Sequence, residues 1–188
     1  MPRVFVTVGT TEFPALAQAV FAPGFAEAAR RQGCDSVEMQ IGRLSPEALP
    51  APVREALSRA GGDDDKHASA SLDWNGMPLT VFRFKASIQP CIESAALVVS
   101  HAGAGSVFEC LRARKRLLVV VNDELMDNHQ QELAKAMADG GHLAYCSAGD
   151  AAVAAALATL PAAFEPLADP ATSLSAFSAV VSEELGSF

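Results

Sequence analysis

The stretch Val98-Val99-Ser100-His101-Ala102-Gly103-Ala104-Gly105-Ser106-Val107-Phe108-Glu109 decides the fold. It continues a short apolar strand that runs from Ala96 to Val99. Small residues then turn the chain, and a helix follows with apolar positions at Val107, Cys110 and Leu111. A strand, a small-residue turn and a helix N-terminus together form a place to bind an anion. Free N–H groups of the first helical turn point at the ligand, and the helix dipole favours negative charge there. Gly103 and Gly105 carry no side chain that would keep a phosphate from the backbone. Two structural readings compete with this one. In the first, the glycines serve only an ordinary βα turn. In the second, Ser106-x-x-Glu109 is a capping box and Glu109 merely closes the helix start.

Working outward, Arg3 to Val8 is a continuous β-rich run, as expected of a strand buried on both faces. Gly9-Thr10-Thr11 turns the chain, and Thr11 is placed to cap a helix expected from Pro14 to Arg31 and ended by Gly33. A second strand is expected over Ser36 to Ile41. Pro46, Pro50 and Pro52 break the next stretch before a short helix over Val53 to Arg59. Gly61 to His67, with its three consecutive aspartates, reads as an exposed or disordered insertion. Three adjacent carboxylates do not converge on one ion, so no metal is expected there. A third strand is expected over Leu79 to Phe84, a short helix over Ile88 to Ser94, and a fifth strand over Leu117 to Val121. A polar loop (Asn122 to Asp127), a helix (Asn128 to Ala138), a sixth strand (His142 to Cys146) and an Ala-rich helix capped by Asp150 complete the pattern.

Strands alternating with helices imply a parallel sheet covered on both faces: an α/β, Rossmann-like doubly wound fold. Ligands of such sheets bind beyond the carboxyl ends of the strands. Gly9 to Thr11, His101 to Ser106 and Asn122 to Gln131 are the turns expected there. The chain divides into one domain over residues 1–160, with the insertion near 61–71, and a tail over 161–188. Leu174, Phe177, Val181 and Leu185 recur at helical spacing in that tail. This stripe either packs on its own sheet or docks a partner.

Composition narrows the function. Of 188 residues half are hydrophobic, enough for a sizeable core, and the net charge of −8 argues against a nucleic-acid partner. The basic run Arg112-Ala113-Arg114-Lys115-Arg116 reads as cations at a helix C-terminus, or alternatively as a patch for anionic lipid headgroups. Four scattered cysteines without a C-x-x-C pair read as reduced thiols of a cytoplasmic protein. No run approaches the ~18 apolar residues of a membrane span. The dinucleotide fingerprint fails, because Gly9-Thr10-Thr11 lacks G-x-G-x-x-G and Phe108 stands where the later turn would need its third glycine. The Walker, G-x-S-x-G and H-E-x-x-H patterns are also missing.

Three motifs occur in order: Gly9-Thr10-Thr11, the string Ser100 to Ser106 with Glu109 following, and Asn128-His129-Gln130-x-Glu132-Leu133-Ala134. Together they resemble the catalytic subunits of the UDP-GlcNAc transferases of asparagine-linked glycosylation. Relatives of these are the C-terminal domains of family 28 glycosyltransferases, such as the bacterial lipid II-forming enzyme. The resemblance runs from Arg3 to Ala144 and leaves out the insertion. It implies the C-terminal, donor-binding half of a GT-B glycosyltransferase, acting as an inverting N-acetylglucosaminyltransferase on the donor UDP-GlcNAc. By position, Gly9, Thr10, Thr11 and the turn Gly103, Ala104, Gly105 and Ser106 would hold the diphosphate, and Glu109 the ribose hydroxyls. Phe84 and Ile88 would lie near the uracil, and Asn128 and Gln130 in the segment that reads the sugar. His101 stands where bacterial relatives often carry Arg, which suggests a phosphate contact.

The chemistry agrees with the resemblance. Transfer expels a nucleoside diphosphate, whose developing charge backbone amides and a helix N-terminus can stabilise without a metal. No cofactor is therefore expected. A carboxylate such as Glu109 can accept two bonds from a vicinal diol. No general base for the acceptor is evident. The resemblance implies a membrane-anchored subunit that binds the acceptor, dolichyl-diphosphate-GlcNAc, on the cytosolic face of the endoplasmic reticulum. The alternatives are a non-catalytic nucleotide-sugar-binding or regulatory module and a plain anion-binding scaffold.

Overall fold

The computed structural model describes residues 1–61, 65–122 and 128–167, with only the backbone of 128–130. The elements follow in order: β1 (Arg3–Thr7), α1 (Pro14–Phe21), α2 (Pro23–Arg31), β2 (Ser36–Gln40), a 3-10 turn (Pro46–Ala48) and α3 (Ala51–Ala60). Then come β3 (Ser69–Trp74), β4 (Met77–Phe82), α4 (Gln89–Ser94), β5 (Leu97–His101), α5 (Ala104–Arg112), β6 (Arg116–Val121), α6 (Asn128–Asp139), β7 (Ala144–Ser147) and α7 (Asp150–Ala158). The strands form one sheet in the order β3-β4-β2-β1-β5-β6-β7. The chain builds leftward from β1 through β2 to the β3–β4 hairpin, then crosses back to lay β5 on the other side of β1. The switch in strand order thus falls between β1 and β5, where Val4 to Thr7 pair with Leu97 to Ser100.

Alternation along β1 explains the two cores. Val4 and Val6 face one side, with Leu16, Phe25, Val53, Leu57, Val153 and Leu157 from the helices α1, α2, α3 and α7. Phe5 faces the other side, with Ile92, Val107, Leu111 and Ala134 from α4, α5 and α6. Burial of each such side chain contributes about 1.5–3 kcal/mol. Every adjacent strand pair is parallel except β3–β4, which is antiparallel.

Four local expectations are corrected. The single helix over Pro14 to Arg31 is two helices. Ala22 is extended (φ −70°, ψ 145°) because the ring of Pro23 disfavours helical geometry in the residue before it, and α2 restarts with Pro23 in its first turn. Thr11 does not cap α1: the position before the helix is Phe13, and the Thr11 hydroxyl donates to the Val8 carbonyl. Asp150 lies in the first turn of α7, with Gly149 in front of it. The insertion also ends in a strand, β3, so the sheet is not wholly parallel. Asn75 (φ 53°) and Gly76 (φ 70°) form its two-residue hairpin loop to β4, with Trp74 paired to Met77.

Two of the four cations of the basic run are consumed by the fold. Lys115 Nζ donates to the carbonyls of Glu93 and Ala95 at the end of α4, and Arg116 donates to those of Leu160 and Pro161 beyond α7. These two cations serve the C-termini of neighbouring helices, while Arg112 lies in the last turn of its own helix, α5, as expected. The apolar stripe Leu174, Phe177, Val181 and Leu185 of the tail lies outside the described residues, as do Asp123 to Asp127. No helix among the described residues is long and apolar enough to cross a membrane.

Candidate functional site

At the carboxyl ends of the strands, across the switch point, lies an open cleft of about 520 Å³. Its floor is the turn after β1, with Gly9 and Thr10, together with Gln40 at the end of β2. One wall is the turn after β5 and the first turns of α5: His101, Gly103, Ala104, Gly105, Ser106 and Glu109. The other wall is the segment between β4 and α4, from Phe84 to Gln89. Parallel strands bring these segments together although they are far apart in the chain.

The α5 wall presents an uncapped helix start to the cleft. Helical hydrogen bonding starts with Val107 N to Gly103 O, and no side chain caps the helix. The N–H groups of Ala104, Gly105 and Ser106 therefore precede the first intrahelical bond. A Cβ placed on Gly105 would meet nothing within 4 Å, so its position opens on free space. The capping-box reading of Ser106 and Glu109 does not hold. Ser106 sits inside the helix, which begins at Ala104, and Glu109 lies a further turn along. A box needs the hydroxyl at the residue before the helix. Glu109 is exposed on the cleft, with no hydrogen bond or ion pair to another side chain among the described residues.

The floor is held from beneath. The buried Thr7 hydroxyl donates to Gln40 Oε1 at 2.6 Å and accepts from Gly9 N at 3.0 Å. Gly9 adopts φ 68°, a left-handed geometry that favours glycine. His101 lies beside this turn. Burial lowers its pKa below the ordinary value, against a smaller opposing effect of a backbone hydrogen bond with Thr7, so the imidazole is neutral at pH 7.

The opposite wall is tied to the sheet by Lys85. Its ammonium meets the buried carboxylate of Glu38 at 2.5 Å and lies 4.1 Å above the Phe82 ring. Burial would lower the Lys85 pKa, but hydrogen bonds to Glu38 and Cys91 and their charges outweigh it and raise it. Arg3 contacts the second Glu38 oxygen at 2.9 Å. The Cys110 thiol, buried under α5, is pushed up to about 12 and is no nucleophile.

Of the residues singled out in the sequence, Gly9, Thr10, Phe84, Ile88, His101, Gly103, Ala104, Gly105, Ser106 and Glu109 all border this one cleft. Thr11 does not. The side chains of Asn128 and Gln130 lie outside the described residues. Sequence reasoning missed Gln40, Lys85, Ser87 and Gln89. Gln40 closes a strand that already carries Ser36 and Glu38, so no local pattern singles it out.

The switch-point cleft, the uncapped helix N-terminus and the doubly wound sheet define a Rossmann-like α/β domain with a site fit for an anionic ligand. Residues 3–182 match the Glycosyltransferase family 28 C-terminal domain, and the chain belongs to that family. It is 40% identical over 147 residues to the UDP-N-acetylglucosamine transferase subunit ALG13 of Mus musculus. That match covers 78% of this chain and 11% of the mouse protein, so the chain spans about a tenth of that relative's length. The identically named subunit of Eremothecium gossypii is 38% identical over 149 residues, covering 74% of this chain and 72% of that protein. An NMR structure of ALG13 superposes with a TM-score of 0.67 at 25% identity, covering 93% of this chain and 94% of the other. MurG of Acinetobacter baumannii shares the fold, with a TM-score of 0.53 at 21% identity over 85% of this chain and 40% of its own.

Proposed function

We propose that this chain is the donor-binding subunit of an inverting N-acetylglucosaminyltransferase that takes GlcNAc from UDP-GlcNAc. The observation that carries the reading is the convergence, at one switch point, of a free helix N-terminus and a carboxylate, Glu109, that no other side chain engages among the described residues. Family membership and relatives named as UDP-N-acetylglucosamine transferase subunits support it.

In this reading the diphosphate lies against the first turn of α5 and the Gly9–Thr10 turn. Glu109 accepts hydrogen bonds from the ribose diol, and Phe84 and Ile88 flank the base. Asn128 and Gln130 approach the sugar. The acceptor hydroxyl attacks the anomeric carbon as the bond to the β-phosphate oxygen breaks. The electron pair leaves with UDP, and the α5 amides stabilise the charge that develops there. They are already fixed in place, so little reorganisation is needed at the moment of reaction. The hydroxyl proton passes to a base on the acceptor side, supplied by a membrane-anchored partner that holds dolichyl-diphosphate-GlcNAc. That partner would keep this chain at the cytosolic face of the endoplasmic reticulum.

Glu109→Gln tests the site. Loss of the charged acceptor should weaken UDP binding by about 1–3 kcal/mol. The melting temperature should stay unchanged, since Glu109 is exposed and caps nothing. Calorimetric titration with UDP alongside a thermal melt reads both. Wild-type affinity in the variant would remove Glu109 from the site.

A further inference from the structure

The three glycines of the cleft are not equivalent. Gly105 opens on free space, but Gly9 and Gly103 both abut the same imidazole. A Cβ on Gly9 would fall 2.7 Å from His101 Nε2, and one on Gly103 would fall 2.9 Å from Cδ2 and 3.0 Å from Cε1. Gly103 has an ordinary extended backbone (φ −73°, ψ 124°), so its conformation does not demand glycine. The ring does. His101 is therefore clasped between the turn after β1 and the turn after β5, the two turns that face the cleft.

We infer that His101 is a positioning residue. Its ring is the spacer that sets the gap between the Gly9–Thr10 turn and the N-terminus of α5 to the span of a diphosphate. This deepens the donor-site reading and rests on it. The observations fit a spacer better than a charged ligand. The imidazole is neutral, its polar contact is with the Thr7 backbone beneath it, and its edge is pressed between two glycine backbones. Both turns are otherwise attached to separate strands. The β1 turn hangs on the Thr7–Gln40 pair and the β5 turn on α5. Beyond the β1–β5 ladder, which ends at the Thr7–Ser100 pair, the ring fills the space between them.

A spacer of this kind should matter for a ligand that bridges both turns and not for one that touches neither. Three proteins decide the matter: wild type, His101→Ala, and His101→Ala with Gly103→Ala. Gly103→Ala alone carries the clash and need not fold, so it is not required. Each protein is titrated with UDP, inorganic pyrophosphate and uridine, and each is melted. Removing the ring should weaken UDP and pyrophosphate about tenfold, by loss of preorganisation, while uridine stays within about twofold. In the double variant the methyl brought in by Gly103→Ala enters the vacated space. It should restore part of the lost UDP affinity, because neighbouring substitutions that share a cavity are coupled. A ring that bonded the phosphate directly would give no such recovery, and that outcome overturns the spacer. So does a loss shared equally by UDP and uridine, or a melting change with no loss of UDP affinity. Wild-type protein that binds neither UDP nor pyrophosphate would instead sink the donor site itself, and the spacer with it.

Discussion

Gly105 separates what a fold needs from what a ligand needs. Gly9 must be glycine for its positive φ and for the ring beside it, whereas Gly105 is helical and free of neighbours. Its substitution by Ala should raise stability by about 0.5–1 kcal/mol, the usual gain of Ala over Gly within a helix. The new methyl would stand at the N–H groups offered to the diphosphate, so UDP affinity should fall. A melt and a UDP titration of the same preparation show whether the two change in opposite directions. A stabilised variant with undiminished affinity would take the α5 N-terminus out of the site. In sequence the three glycines looked alike, and all were assigned to phosphate approach. Only the folded contacts show that Gly9 and Gly103 answer to His101 and Gly105 does not. Glu109 was similarly open between cap and ligand until the start of α5 was fixed at Ala104.

At the scale of elements, what was legible followed from local chemistry. Buried parallel strands are nearly all apolar, so β1, β5 and β6 stand out as runs of Val, Leu and Phe. The helices that cover them show their apolar stripes. The edge strand β3 did not stand out, because Ser69-Ala70-Ser71-Leu72-Asp73-Trp74 buries one face only and presents Ser69, Ser71 and Asp73 outward. The Asn75-Gly76 pair that closes its hairpin was the missed signal. Gln40 and Lys85 were invisible as site residues for another reason. They reach the cleft because β2 lies beside β1 and β4 beside β2, and strand order is not written in any one segment. The hairpin carries its own prediction. Gly76→Ala forces a left-handed geometry on Ala and should cost about 1–2 kcal/mol. Trp74 Nε1 bonded to Phe21 O and Arg30 to Asn75 O tie this turn to α1 and α2. The turn sits at the opposite end of β4 from the cleft. Denaturant unfolding should therefore register the loss while UDP affinity stays at the wild-type value.

For the molecule as a whole, the decisive fact is that one side of the proposed reaction is built and the other is not found among the described residues. The cleft offers amides, hydroxyls and a carboxylate, which the proposed reading assigns to a nucleotide diphosphate. Among the described residues that border it, His101 is wedged between the two glycine turns and its lowered pKa makes it a weak base, Glu109 is assigned to the ribose, and Lys85 is committed to Glu38. Displacement requires donor and acceptor to be held together, and that positioning is where much of the rate resides. The described chain also has no spanning helix with which to reach a lipid. The proposed arrangement is then a division of labour, in which this chain supplies the leaving-group site and a membrane-anchored partner supplies acceptor and base. Its consequence is a protein that binds donor without turning it over. Purified alone, the chain should titrate with UDP-GlcNAc yet form no product from a dolichyl-diphosphate-GlcNAc acceptor. Adding the membrane subunit in lipid should start transfer, and excess EDTA should leave the rate intact because amides rather than a metal carry the charge. Full turnover by the isolated chain would refute the division. Donor binding with no turnover even beside the partner would make the chain a nucleotide-sugar-binding module and not a transferase subunit.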